Sequence, residues 1–314
     1  MFSNRITEMI GCEIPILQAP MGYIARSQLA SAVANAGAIG MIETSSGELD
    51  AVKDEIVKMR ELAPGKPFAV NIAQAFVRDP SIVDFVVEHG VRFVTTSAGD
   101  PTKYTARLKD AGLVVFHVVP SLRAALKAVD AGVDGLVVEG SEGGGFKNPR
   151  DVSTMVLLPL VASRVDVPII AAGGFLDGPT MAAAFALGAE GVQMGTLMVA
   201  SAESPIHHNW KQAIVDAPET GTVLLNRHAA PAVRVLRTDV SESFEFDTDR
   251  NAMEAMVDHK AVYFDGDLGA GLAFSGQVAG RIDRVRPVAE VLRECADGCL
   301  EVIADLARQY PPAP

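Results

Sequence analysis

Pro168-Ile169-Ile170-Ala171-Ala172-Gly173-Gly174-Phe175 and Gly191-Val192-Gln193-Met194-Gly195-Thr196 are short apolar runs that each end on glycine. Between them, Asp177-Gly178-Pro179 opens an alanine-rich stretch over 180–187. Strand, glycine turn, helix and strand in that order make a βα unit of a parallel sheet. Working backwards, the same alternation predicts strands over 14–21, 39–43, 68–72, 92–97, 114–119 and 135–139, which with 168–172 and 191–194 makes eight. Several are announced by a helix that ends on glycine, as in Asn35-Ala36-Gly37, Asp110-Ala111-Gly112 and Ala186-Leu187-Gly188. Glycine suits these helix ends because a left-handed backbone costs it almost nothing. Eight repeats with no nucleotide fingerprint after the first strand favour a closed (β/α)8 TIM barrel, an α/β fold, over an open doubly wound sheet.

The rhythm breaks near residue 200. The expected organisation is therefore a barrel over 1–199, a smaller and mainly helical lid inserted after the eighth strand over 200–270, and a closing segment over 271–314 with a helix from about 287 to 309. With 49% hydrophobic residues in 314, the chain has material for a large core. Its formal charge of −12 opposes general affinity for nucleic acid or an anionic membrane, so an anionic ligand must be held locally. Three cysteines, Cys12, Cys295 and Cys299, do not suggest a disulfide framework. With no apolar leader and no apolar run of membrane-spanning length, the expectation is a soluble cytoplasmic protein with a small-molecule substrate; a homodimer stays open.

In such a barrel the active site lies at the C-terminal ends of the strands, and the loops after strands seven and eight commonly hold phosphate. Here those loops are Gly173-Gly174-Phe175 and Met194-Gly195-Thr196. Paired glycines let a phosphate approach the backbone, and following helix N-termini offer unpaired N–H groups. Either turn alone is as readily a plain connection; their order after consecutive strands makes the pair informative. The sixth strand runs into Glu139-Gly140-Ser141-Glu142-Gly143-Gly144-Gly145-Phe146-Lys147. Three successive glycines weaken a regular element by about 0.5–1 kcal/mol each, so a segment lying flat against a planar ligand explains them better than a bland loop. Pro20 and Met21 after the first strand and Asn71 at the end of the third reach the same mouth; by position alone each is as readily structural.

Taken together, these residues resemble the nitronate monooxygenase family, also called 2-nitropropane dioxygenases, whose members are flavin mononucleotide (FMN) barrels. The resemblance runs from Ile14-Pro15-Ile16-Leu17-Gln18 through Pro67-Phe68-Ala69-Val70-Asn71, Glu142-Gly143-Gly144-Gly145 and Gly173-Gly174-Phe175 to Ser275-Gly276-Gln277. It implies that Pro20, Met21 and Asn71 line the isoalloxazine, that Glu139 lies near the ribityl chain, and that Gly144 packs near the ring. Gly173, Gly174, Gly195 and Thr196 would hold the phosphate, and Ser275 and Gln277 would reach the flavin region. The family also includes NADH:quinone reductases, a flavin enoyl-acyl-carrier-protein reductase and a steroid-degradation CoA-thioester reductase.

One position departs from the pattern. The family's glycine loop usually ends in a histidine that takes a proton from a neutral nitroalkane or assists substrate binding, and Phe146 stands there. A phenyl ring has no proton chemistry. An already deprotonated nitronate needs no base, and hydride transfer from NADH or NADPH needs alignment more than proton abstraction. The expected function is accordingly FMN-dependent oxidation of a nitronate with O2. The alternatives are an NAD(P)H-dependent flavin reductase of a conjugated enoyl, enone or quinone acceptor, a non-flavin phosphate-binding barrel, and a non-catalytic flavin binder.

Other residues are weighed on position. His117 on the fifth strand either points into the mouth or is a hydrogen-bonded core histidine. The pair His207-His208 reads as loop, since adjacent rings rarely share an ion, and no metal site is expected. Cys295 and Cys299 read as packing, and Lys147, next to Phe146, either attracts an anionic substrate or, as is commoner for a lysine, faces solvent. Arg234 and Arg237 serve either an anionic ligand or surface ion pairs.

Overall fold

The computed structural model describes residues 1–77, 79–256 and 258–311. Strands β1 (Ile16–Gln18), β2 (Gly40–Ile42), β3 (Phe68–Ala73), β4 (Phe93–Ser97), β5 (Val114–Val119) and β6 (Gly135–Glu139) follow in chain order. Next come a short β7 (Gly145–Lys147), β8 (Ile169–Ala172), β9 (Gly191–Met194), β10 (Thr222–Leu225) and β11 (Ala232–Leu236). Eight of them are parallel neighbours in the order β1-β9-β8-β6-β5-β4-β3-β2. A parallel bridge between Leu17 and Ile39 joins β1 to β2 and closes the ring. The backbone N–H of Gln18 donates to the Ile39 carbonyl at 2.9 Å, and that of Ile39 donates to the Ile16 carbonyl at 2.9 Å. The expected barrel is therefore present, its strands within a few residues of their expected bounds.

Leu17, Met41, Ala69, Phe93, Phe116, Val137 and Ile170 belong to one buried apolar cluster drawn from the strands, joined by Ile6 and Ile10 of the N-terminal helix Arg5–Ile10. Phe93 and Phe116 meet edge to face with ring centroids 5.1 Å apart. A Cβ at Gly135 would lie 2.2 Å from the Phe116 ring, so β6 must start on glycine for the large ring to fit. The glycines expected at helix ends, Gly37, Gly112 and Gly188 among them, have φ of 89°, 82° and 99°.

The region after β9 carries the expected helices, including His208–Val215 and Asp239–Glu245, and also a β10–β11 hairpin that period-based reading missed. The hairpin pairs antiparallel with β7, Val233 opposite Phe146, so the glycine-rich segment ends in a strand rather than a free loop. The closing helix Val288–Gln309 packs against the helix Gly178–Ala186 so closely that a Cβ at Gly178 would sit 2.4 Å from the Gly298 backbone. Cys295 and Cys299 are buried there as packing, and Cys12 is buried elsewhere. Burial pushes the Cys295 thiol up to about 12 and that of Cys299 to about 11. No helix among the described residues is long and apolar enough to cross a membrane.

Candidate active site

The C-terminal strand ends and residues from the region after β9 enclose a cavity of about 960 Å3. Pro20, Met21, Asn71, His117, Glu139, Gly144, Phe146, Gly173, Gly174, Gly195 and Thr196 all line it. Residues from six barrel strands and the loops that follow them, separated widely in sequence, thus meet in one mouth, as the barrel geometry requires.

At one end lie the two glycine turns. Gly173 and Gly174 have φ of 91° and 94°, a left-handed backbone that favours glycine. A Cβ on Gly174 would meet nothing nearer than Glu142, 3.9 Å away, so this backbone is open to a ligand. Gly195 precedes the short helix Thr196–Val199, which has no side-chain cap, and the Gly276 N–H donates to Thr196 Oγ1 at 2.8 Å. The other helix N-terminus is not available as expected. Asp177 Oδ1 already accepts from the Thr180 N–H at 2.9 Å, in a capping box that occupies the start of Gly178–Ala186.

At the other end Asn71, almost fully buried, donates to Thr95 Oγ1 at 2.9 Å, while its Oδ1 accepts from Ser97 Oγ at 3.3 Å. Gln193 on β9 lines the cavity, and its buried Oε1 has no hydrogen-bond partner. Such an orphan is costly unless a ligand donor or water completes it. Sequence reading passed over Gln193; the available signal was an amide between Val192 and Met194 in an otherwise apolar strand, next to the phosphate turn. His117 satisfies both readings offered for it. It lines the cavity, it sits 2.6 Å by Nδ1 from Thr96 Oγ1, and burial pushes its imidazole down to about 4, so it is neutral near pH 7.

The glycine segment is fastened on every side. The Glu142 carboxylate accepts from the Thr154 N–H at 2.9 and 3.0 Å, Arg234 Nε donates to the Ser141 carbonyl at 2.7 Å, and the Gln277 N–H donates to the Glu142 carbonyl at 2.9 Å. Arg234 is thus a buried loop fastener, whereas Arg237, of its two open readings, takes that of surface pairs, with Glu242 and Glu245. Ser275 and Gln277 enter differently from expectation. Ser275 is fully buried and its Oγ accepts from Trp210 Nε1 at 3.3 Å; Gln277 is exposed, and neither lines the cavity. Their contribution is through backbone, with Gly276 between them at the wall. Lys147 also departs from expectation: its side chain is 5% exposed and Nζ donates to Glu139 Oε1 at 2.6 Å. His207 accepts from the Asn209 N–H at 3.2 Å as a helix cap, in keeping with a loop role.

Phe146 forms part of an aromatic wall. It stacks on Phe76, centroids 5.7 Å apart at 28°, and meets Phe274 edge-on at 5.5 Å. The lid adds Trp210, Met256, His259 and Tyr263, which the sequence reading did not single out. A positive-φ glycine, Gly174, open to a ligand, an orphan amide oxygen and a large apolar wall suit a planar cofactor with a phosphate tail.

Comparison with known proteins agrees with that chemistry. The chain is 37% identical over 243 residues, 76% of its length and 68% of the relative's, to a (3aS,4S,5R,7aS)-5-hydroxy-7a-methyl-1-oxo-octahydro-1H-indene-4-carboxyl-CoA dehydrogenase of Mycobacterium tuberculosis. It is 30% identical to a probable nitronate monooxygenase of Staphylococcus saprophyticus, covering 71% of this chain and 76% of that protein. The structure of FabK from Thermotoga maritima superposes with a TM-score of 0.91 at 38% identity, over 99% of this chain and 100% of that one. A nitroalkane oxidase from Streptomyces ansochromogenes shares the fold, with a TM-score of 0.82 at 24% identity, over 96% and 100% of the two chains. The family model for nitronate monooxygenase matches residues 3–297, from the N-terminal helix into the first half of the closing helix, and the chain belongs to that family of flavin-dependent oxidoreductases.

Proposed function

We propose that the protein is an FMN-dependent reductase that passes a hydride between NADH or NADPH and a substrate conjugated to a carbonyl, the acyl thioesters being the favoured class. The observation that carries this reading is Phe146. A phenyl ring stacked on Phe76 and edged by Phe274 cannot abstract a proton from a neutral nitroalkane, but it offers an apolar platform for an acyl or ring-bearing substrate. Similarity over most of the chain to a CoA-thioester dehydrogenase adds support.

FMN, when bound, supplies two-electron transfer at its N5. Gly173, Gly174, Gly195 and Thr196 would hold its phosphate through backbone N–H groups and one hydroxyl, because no arginine and no lysine other than Lys147 is among the described residues of the lining. Gln193 Oε1 offers an unpartnered acceptor to a flavin N–H, and Asn71, itself held by Thr95 and Ser97, presents a fixed amide. Trp210 and Tyr263, packed with ring centroids 4.7 Å apart, add apolar wall to the cavity.

A second reading keeps nitronate oxidation with O2. Lys147 is a cation in the lining, and a preformed nitronate anion needs no base. Anaerobic reduction at the yellow flavin band separates the two. Rapid bleaching by NADH or NADPH, followed by reoxidation with an enoyl-CoA, is the expected result. Bleaching by an alkyl nitronate alone would replace it with the second reading, and a colourless protein that takes up no FMN would overturn both.

A further inference from the structure

Strand β7 alternates sides, as any strand does. Phe146 faces the aromatic wall, 36% exposed, while the next residue, Lys147, turns inward to Glu139 at the end of β6. The pairing of β7 with β11, Ala232 opposite Lys147, fixes that choice of face. The glycine segment crosses directly over the ion pair. A Cβ at Gly143 would lie 2.8 Å from Glu139 Oε1 and 3.0 Å from Lys147 Nζ, so the backbone there must be bare.

Both members of the pair line the cavity, and Lys147 is the sole lysine or arginine among its described lining residues. An ammonium has three donors, and the structure gives Nζ one side-chain acceptor, Glu139 Oε1. Holding such a pair out of water is costly, and an apolar pair of similar volume often serves stability as well, so loop rigidity alone is a weak reason for it. Charges fixed in a cavity of low dielectric act strongly on a bound group that gains or loses charge.

We propose that the Glu139–Lys147 pair sets the reduction potential of the bound flavin, Lys147 raising it and Glu139 lowering it. The inference rests on the flavin reading above. Reduction brings negative charge onto the ring system, which the Lys147 ammonium favours and the Glu139 carboxylate opposes. Lys147 and Glu139 are in this sense electrostatic positioning residues; neither need touch the substrate.

The test is the midpoint potential of the FMN-loaded protein, followed by its absorbance against a reference dye, for wild type, Lys147→Met, Glu139→Gln and the double variant. Lys147→Met removes the cation and leaves the anion, and the potential should fall. Glu139→Gln does the opposite, and the potential should rise. Each change is expected to alter the ratio of oxidised to reduced binding about tenfold, which is about 30 mV for a two-electron couple. The double variant should return near wild type, and Lys147→Arg should keep most of the wild-type value. For a variant that holds FMN weakly, separate titration of oxidised and reduced FMN yields the same ratio. Shifts in the same direction for both single variants, or none in either, would show that the pair is only a clip for the glycine segment. A wild-type protein that binds no FMN would instead remove the flavin reading itself, and this inference with it.

Discussion

Glu142 and Thr154 join the glycine segment to the Gly173-Gly174 turn. The Thr154 N–H donates to both Glu142 oxygens, and Thr154 Oγ1 stands 2.8 Å from Glu142 Oε2 and 2.8 Å from the Gly173 carbonyl. Thr154 is the first residue of the helix Thr154–Ala162, whose flanking Ser153 makes no side-chain cap, so Glu142 supplies that cap from another part of the chain. One carboxylate therefore anchors a helix start, the segment over the cavity and the turn beneath it.

Glu142→Ala should loosen all three at once. A lost charged cap costs about 0.5–2 kcal/mol, so the melting temperature should fall by a few degrees. FMN affinity should fall with it, by about tenfold. Fluorescence titration of FMN beside thermal unfolding checks this; a fall in stability with unchanged FMN affinity would confine Glu142 to helix capping.

Gly174→Ala tests the phosphate cradle separately. Its φ of 94° strains any L-residue, at about 1–2 kcal/mol, but the new methyl meets no protein atom closer than 3.9 Å, so the apoprotein should still fold. The methyl would stand where the backbone is open to a ligand. FMN binding should weaken by about tenfold to a hundredfold, about 1.4–2.8 kcal/mol, while riboflavin, which lacks the phosphate, should lose much less. Equal losses for both ligands would move the phosphate site elsewhere.

The barrel was legible because its evidence is local: apolar runs, glycine helix ends and two glycine turns repeat along the chain, each read from neighbouring residues. That the two glycine turns, Asn71 and Phe146 share one mouth was legible through motif and strand position. Long-range partners were not. Lys147 turns inward because pairing with β11 fixes the face of β7, and the Ser275 hydroxyl accepts from Trp210 away from the cavity, both set by residues far off in sequence. The Asp177 cap also showed that a favourable helix N-terminus can already be satisfied by its own sequence. The lid was hardest, because Trp210, His259 and Tyr263 reach the cavity only through packing that no periodicity announces.

Phe146→His should return a base to the mouth. Half-exposed between Phe76 and Phe274, an imidazole there would retain access to water and titrate near its ordinary value of about 6.5. Activity on neutral nitroalkanes should appear and rise with pH through that value, by roughly one to two orders of magnitude over wild type, in the low range of general-base effects. Steady-state rates with a neutral nitroalkane and with its preformed nitronate check it. Intact FMN binding without any gain on the neutral form would mean that the missing imidazole is not what limits that reaction.

His117 should make the fold sensitive to mild acid. Burial lowers its pKa to about 4 in the folded protein, against about 6.5 when unfolded. Between those values the unfolded chain binds the extra proton, so stability falls as pH falls. The contribution is complete above about pH 6.5, is lost progressively below it, and levels off under about pH 4, for a total of about 3 kcal/mol at 1.36 kcal/mol per unit. His117→Gln removes the titrating ring while keeping a polar group near Thr96 Oγ1, now 2.6 Å from Nδ1. Urea unfolding at pH 7, 6 and 5 should show a declining midpoint in wild type and a flatter one in His117→Gln. Because the same neutral imidazole lines the cavity, a wild-type slope identical to the variant's would mean that His117 is solvated in solution, and that the mouth of the barrel is wetter than its walls imply.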